Sequence, residues 1–142
     1  MQISYPKTDF KLKSVGDAQK IWDIVRKRWV CLTPEEWVRQ NFVQYLLNIK
    51  NYPPSLLAVE KGIVVNGLKK RCDIVVFKNS DPWLIVECKE PNVPLSEDTF
   101  MQVVRYNMTL QVPYLVLTNG AHTLGWHVAN NKIEPLLELP TW

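Results

Sequence analysis

Two short apolar runs, Ile74–Phe77 and Trp83–Val86, contain no polar residue and flank the turn-forming segment Asn79-Ser80-Asp81-Pro82. A strand with one wet face alternates apolar and polar residues, whereas an unbroken run of this length belongs to a strand covered on both faces. The segment therefore predicts a hairpin at the centre of a sheet that helices flank. Charged residues stand at the far end of both strands: Asp73 before the first run, Glu87 and Lys89 after the second. Side chains alternate across a strand, so Glu87 and Lys89 project to one face and Cys88 to the other, and strand pairing can bring Asp73 beside them.

The rest of the chain supplies layers for that sheet. Thr33 is a predicted N-cap, Pro34 occupies the first helical position, and Glu35 and Glu36 suit the positive end of a helix running to about Ile49. Val38, Phe42, Tyr45 and Leu46 form its apolar stripe, and Asn51-Tyr52-Pro53-Pro54 ends it. Leu56–Glu60 reads as a strand and Gly62–Asn66 as its return. A second helix is predicted from Ser96 to Leu110, then a strand over Tyr114–Thr118, an Asn119-Gly120 turn, and a terminal hairpin pairing Thr123–Val128 with Ile133–Leu137. Ile21–Val25 and Trp29–Leu32 fit strand or helix equally. Together these elements describe an α/β fold with a mixed central sheet.

The charges at the end of the hairpin suit phosphodiester hydrolysis, which needs a hard cation on oxygen ligands, a positioned water, and positive charge where the transition state gathers negative charge. Asp73 and Glu87 would supply the oxygens, the carbonyl of Cys88 a third ligand, and Lys89 the positive charge that orients the water. Mg²⁺ accepts such a site because it commonly takes only one or two carboxylates and fills its remaining positions with water and phosphate. Mn²⁺ is its natural substitute. The same residues also admit a plain alternative, a cross-strand ion pair contributing at most ~1 kcal/mol when exposed.

Asp73, thirteen intervening residues, then Glu-Cys-Lys resembles the PD-(D/E)XK nuclease signature. The likeness widens through LTPEEWVRQ (Leu32–Gln40), KRCDIVVF, IVECKEP, FMQVVRYN (Phe100–Asn107) and LVLTNG (Leu115–Gly120). These segments are similar, in order, to the N-terminal nuclease domain of type I restriction enzyme motor subunits, and to short bacterial proteins carrying only that domain. One departure is Cys72, which stands where the superfamily name puts proline. The resemblance implies a restriction-endonuclease-like core, a Mg²⁺-dependent nuclease, and DNA as substrate. It implies that Gln102 and Tyr106, four apart on one helical face, match the Gln-X-X-X-Tyr pair that supports the DNA backbone in a large branch of these enzymes. It further implies an acid from the first helix: Glu35 shares the stripe of Val38 and Phe42, while Glu36 is rotated outward, and both equally fit a simple helix-dipole role. Arg39, four beyond Glu35, is placed to pair with it. A homodimer, or association with restriction or helicase subunits, are the partnerships it leaves open. A nucleic-acid-binding or partner-docking domain with the same fold and little activity is the rival reading.

Composition narrows the field. A chain of 142 residues with 46% hydrophobic and 22% charged residues is ordinary globular material for one domain over residues 1–142. No stretch approaches the ~20 apolar residues of a membrane span and Met1–Lys13 lacks an export signal, which predicts a cytoplasmic protein. Cys31, Cys72 and Cys88 read as buried free thiols, and His122 and His127 have no metal-ligand spacing. The six tryptophans are expected mostly in the core. Net charge is only +3, but Lys69-Lys70-Arg71 immediately precedes Asp73 and is expected to meet phosphate. Arg26-Lys27-Arg28 fits phosphate contact or an ordinary solvated surface equally. No Gly-rich nucleotide loop and no sequence-reading helix is present, so translocation is not expected of these residues.

Overall fold

The computed structural model describes every residue except Asn66, and every side chain except those of Asn66, Val65, Tyr106, Met108 and Thr109. An N-terminal antiparallel sheet of β1 (Leu12–Val15), β2 (Ala18–Asp23) and β3 (Arg28–Cys31) precedes helix α1 (Pro34–Asn48). The main sheet then runs, in spatial and chain order alike, β4 (Leu57–Val65), β5 (Leu68–Lys78), β6 (Asp81–Cys88), β7 (Tyr114–Thr118), β8 (Thr123–Ala129) and β9 (Lys132–Pro135). Helix α2 (Glu97–Leu110) carries the chain from β6 to β7, the one parallel pair in this mixed sheet. Parallel neighbours require such a crossover, whereas the antiparallel pairs need only tight turns.

The predicted hairpin is central, and its apolar runs are buried on both faces. Ile74, Val76, Leu84 and Val86 pack with Phe42 and Leu46 of α1, while Val75 and Ile85 pack with Val103 and Leu110 of α2. Asn79 and Ser80 adopt φ of 52° and 69°, and Asn130 and Asn131 adopt 51° and 59°, the left-handed pair that matches the twist of two-residue hairpins. Thr33 caps α1 by accepting a hydrogen bond from Glu36 N at 3.0 Å, and Ser96 caps α2 by accepting from Thr99 N at 3.3 Å. Both helices begin where local chemistry places them.

Several expectations change. Leu56–Glu60 and Gly62–Asn66 are not a strand and its return: β4 is one strand that passes Glu60 with φ 52°, and Gly67 (φ 77°) lies between β4 and β5. Lys61-Gly62 resembles a turn locally, but pairing of Gly62 and Ile63 with Arg71 and Lys70 keeps the strand extended. The end of that predicted return, Asn66, is outside the described residues. The two ambiguous N-terminal runs contribute strands, and Leu12–Val15 forms one where none was expected. Cys31 is exposed, while Cys72 and Cys88 are buried free thiols. Of the six tryptophans only Trp126 is buried. No described helix is long and apolar enough to cross a membrane.

Candidate functional site

The β5–β6 ladder ends at the Ile74–Val86 pair, and beyond it the strands part. Asp73 fills the opening, its Oδ2 accepting the Cys88 N–H at 2.8 Å, a donor that would otherwise have faced an empty ladder position. On the other side of β5, regular pairing with β4 lapses at Glu60, the residue with left-handed backbone that stands between the Val59–Ile74 and Lys61–Cys72 pairs. Two interruptions thus flank one aspartate. Their effect is to free its carboxyl group from a flat sheet.

Arg39, reaching across from α1, holds that carboxyl group. Its Nη2 lies 2.7 Å from Asp73 Oδ1, 3.0 Å from Glu35 Oε1 and 3.1 Å from Glu60 Oε1, and its Nη1 bonds Glu36. Glu36 and Asp23 also bond Arg26, and Gln40 Nε2 donates to Glu36 Oε1 at 2.9 Å and to Asp23 Oδ2 at 3.0 Å. A continuous chain of ion pairs therefore links the N-terminal sheet, α1 and β5. Burial alone would raise the pKa of Asp73, but the Cys88 N–H and the Arg39 guanidinium outweigh it and hold Asp73 below the usual carboxylate range.

Glu87 faces the other way. Its Oε1 is paired with Lys70 Nζ at 2.8 Å, and the Asp73 carboxyl group is near enough to act on its charge. Burial, reinforced by the neighbouring Asp73 and opposed by Lys70, pushes Glu87 up to about 7. Glu87 and Lys89 line one cleft of about 470 Å³ together with Lys69, Lys70, Arg71, Thr99, Gln102, Val103 and Arg105. Cys88 between them points into the core against α1, as alternation requires. Lys89 is half-buried and attracts Glu35, whose pKa burial and Asp73 nevertheless raise.

The cleft brings Glu87, Lys89, Gln102 and the 69–71 basic cluster onto one wall system, with Asp73 behind Glu87. Tyr106 lies on α2, but its side chain is outside the described residues. Glu35 pairs with Arg39 as its spacing suggested. Glu36 does not turn outward: it is 5% exposed, deeper than Glu35, because the capping turn aims it at Arg26 and Arg39. Arg26 is likewise drawn into ion pairs, while Lys27 and Arg28 remain exposed. Lys70 is turned onto Glu87 and Arg71 onto Glu60 (2.8 Å), leaving Lys69 exposed. His122 is exposed, and His127 stacks on Tyr114. Glu60 and Arg105 carried no sequence signal. Glu60 was hidden inside a strand pattern, and Arg105 looked like one more helical surface charge.

Among the described residues no three His, Cys, Asp or Glu side chains converge as a protein-only metal cage. Two adjoining carboxylates beside an open cleft nevertheless present hard oxygen donors, and the ammonium already drawn to Glu87 marks a position that favours a cation. The donor set fits a divalent ion that retains water.

The sequence model for the type I restriction enzyme R protein N terminus matches residues 34–140. No curated protein matches the chain. Among solved structures, a fragment assigned as an HsdR subunit of a type I restriction enzyme from Vibrio vulnificus YJ016 is similar, with a TM-score of 0.58 and 19% identity. The similarity covers 78% of this chain and 24% of that one, so this chain spans about a quarter of its length. At that identity the match speaks for the fold, the mixed sheet between helices. The family match extends from α1 through the hairpin and cleft to the C-terminal tail, and the chain belongs to the family of type I restriction enzyme R protein N termini.

Proposed function

We propose that this protein is a nuclease of PD-(D/E)XK type that hydrolyses DNA phosphodiester bonds. The observation that carries this reading is that Glu87 and Lys89 line one basic cleft, with Asp73 close enough behind Glu87 to raise its pKa. Asp73, Glu87 and the Cys88 carbonyl would hold Mg²⁺, or Mn²⁺ in its place. Such an ion, when bound, supplies Lewis acidity and a water of lowered pKa. Arg39 and the Cys88 N–H keep Asp73 ionised and oriented. Lys89 directs its ammonium at the phosphoryl oxygens and at the attacking water, and Glu35 adds negative charge beside it. Gln102, with Tyr106 on the same helix, bonds the phosphate backbone, and Lys69, Lys70 and Arg71 neutralise it.

Residues 1–142 act as one domain in this reading, in the cytoplasm. A longer restriction assembly, a helicase subunit or a second copy of this chain would supply target choice and movement along DNA. The rival is a DNA-binding or docking domain that does not cut. It is favoured by one observation: both carboxylates already have cationic partners, Asp73 in Arg39 and Glu87 in Lys70.

Incubating plasmid and single-stranded DNA with the purified protein in Mg²⁺ or Mn²⁺ separates the two. Cleavage that EDTA abolishes and Lys89→Ala reduces by about 10²–10⁴-fold is the expected result. Tight DNA binding without cleavage in either metal overturns the nuclease reading.

A further inference from the structure

The two carboxylates hold their cations differently. Arg39 is pinned by Asp73, Glu35, Glu36 and Glu60, and its side chain is only 6% exposed. Lys70 belongs to the cleft wall and stands on the same face of β5 as Cys72, two residues along, which packs beneath α2. Its side chain is 11% exposed, and its ammonium is a compact point charge on a four-carbon stem. A divalent ion on Glu87 would stand within a few ångströms of that ammonium. Like charges at such separation repel strongly in a half-buried site. Arg39 sits among four acids away from the cleft lining, whereas Lys70 lines the cleft itself, where an ion on Glu87 and a DNA phosphate would both meet it.

Resting on the nuclease reading, we infer that Lys70 is the resident countercation of Glu87 and exchanges places with the divalent ion, moving onto a backbone phosphate of the bound DNA. Its departure exposes the Glu87 carboxylate, and the phosphate gives the ammonium a new partner. Metal and DNA then strengthen each other's binding, because each removes a cost that the other would otherwise meet. The metal-free site stays neutralised, and an ion is captured most readily when DNA occupies the cleft.

Mn²⁺ binding to the free protein, followed by electron paramagnetic resonance at pH 8.5, reads the exchange directly. Lys70→Met should tighten Mn²⁺ by about tenfold, since it removes the competing charge. Lys69→Met, which removes an exposed charge from the same cleft, should shift it less than about twofold if screening is normal. In a second arm, a labelled duplex is titrated with and without Ca²⁺, whose loose coordination supports binding. Wild type should bind the duplex more tightly with Ca²⁺ present, and Lys70→Met should lose most of that gain. Lys70→Met that leaves Mn²⁺ affinity unchanged or weaker, or that matches Lys69→Met, overturns the exchange while the metal site stands. Mn²⁺ binding that is absent from wild type, or indifferent to Glu87→Gln, overturns the metal site and the exchange with it. Circular dichroism and thermal melting of each variant verify that the fold persists.

Discussion

Asp73 and Glu87 act on each other's charge, yet their surroundings push them in opposite directions. Asp73 lies under α1, bonded by a guanidinium and a main-chain N–H, and its proton is easily lost. Glu87 lies towards α2, on the cleft, where burial and the Asp73 charge make its proton hard to lose despite Lys70. One carboxylate is fixed by a network that spans β2, α1, β4 and β5; the other is paired with an ammonium at the cleft wall. The first carboxylate is thus held by buried partners, and the second faces the cleft.

Removing the rigid side should have the largest effect. Arg39→Met leaves Asp73 buried without its cation and takes one of two arginine partners from Glu36 and from Glu60, and should cost about 3–5 kcal/mol, read as the shift in a urea unfolding curve. If the loss is under ~1 kcal/mol, the network does not hold the site and the contrast with Glu87 collapses.

The next test sets the two acids against each other through pH. Below about 4.5 both the folded and the unfolded metal-free chain hold the Glu87 proton; between there and about 7 only the unfolded chain releases it, so stability falls as pH rises. Glu87→Gln should remove that falling limb and be more stable than wild type above pH 7, on the order of 1–3 kcal/mol, with the difference vanishing in acid. Asp73 acts in the opposite sense: its lowered pKa contributes stability above its ordinary value of 3.8 that is lost as pH falls. Urea denaturation across pH 3–9, without metal, measures both limbs. Equal pH profiles for wild type and Glu87→Gln would mean that the two carboxylates do not differ.

The smallest effect belongs to the outer cleft. Lys69→Ala combined with Arg105→Ala should weaken DNA binding by about 1–2 kcal/mol and flatten the slope of log affinity against log salt by about 2, without altering stability. Fluorescence anisotropy across salt concentrations reads it. A slope that stays put assigns those two residues to bulk solvent.

Some of this was written in local pattern. The hairpin, its polar turn and the end positions of Asp73, Glu87 and Lys89 followed from alternation and from apolar runs covered on both faces. Thr33 and Ser96 marked helix starts because capping involves residues only three apart. Elsewhere local cues misled. Leu56–Glu60 and Gly62–Asn66 were read as a strand and its return in what is one strand, and the outward rotation assigned to Glu36 ignored the two arginines waiting for it. The tryptophans, judged by size alone, were placed in the core, although most of them are half in water, with tilted or edge-on contacts to rings such as Tyr52, Trp29 and Phe10.

The chain by itself determined which residues stand at the end of the central hairpin, because two-residue periodicity and short-range capping are properties of neighbours. Only the tertiary structure decided which charge meets which. Arg39 lies 34 positions from Asp73, and Lys70 lies 17 from Glu87. Each had several opposite charges to choose from. That choice depends on where the sheet opens at Asp73 and Glu60, and on how deeply each acid is withdrawn from water, neither of which is encoded within a few residues of the groups concerned.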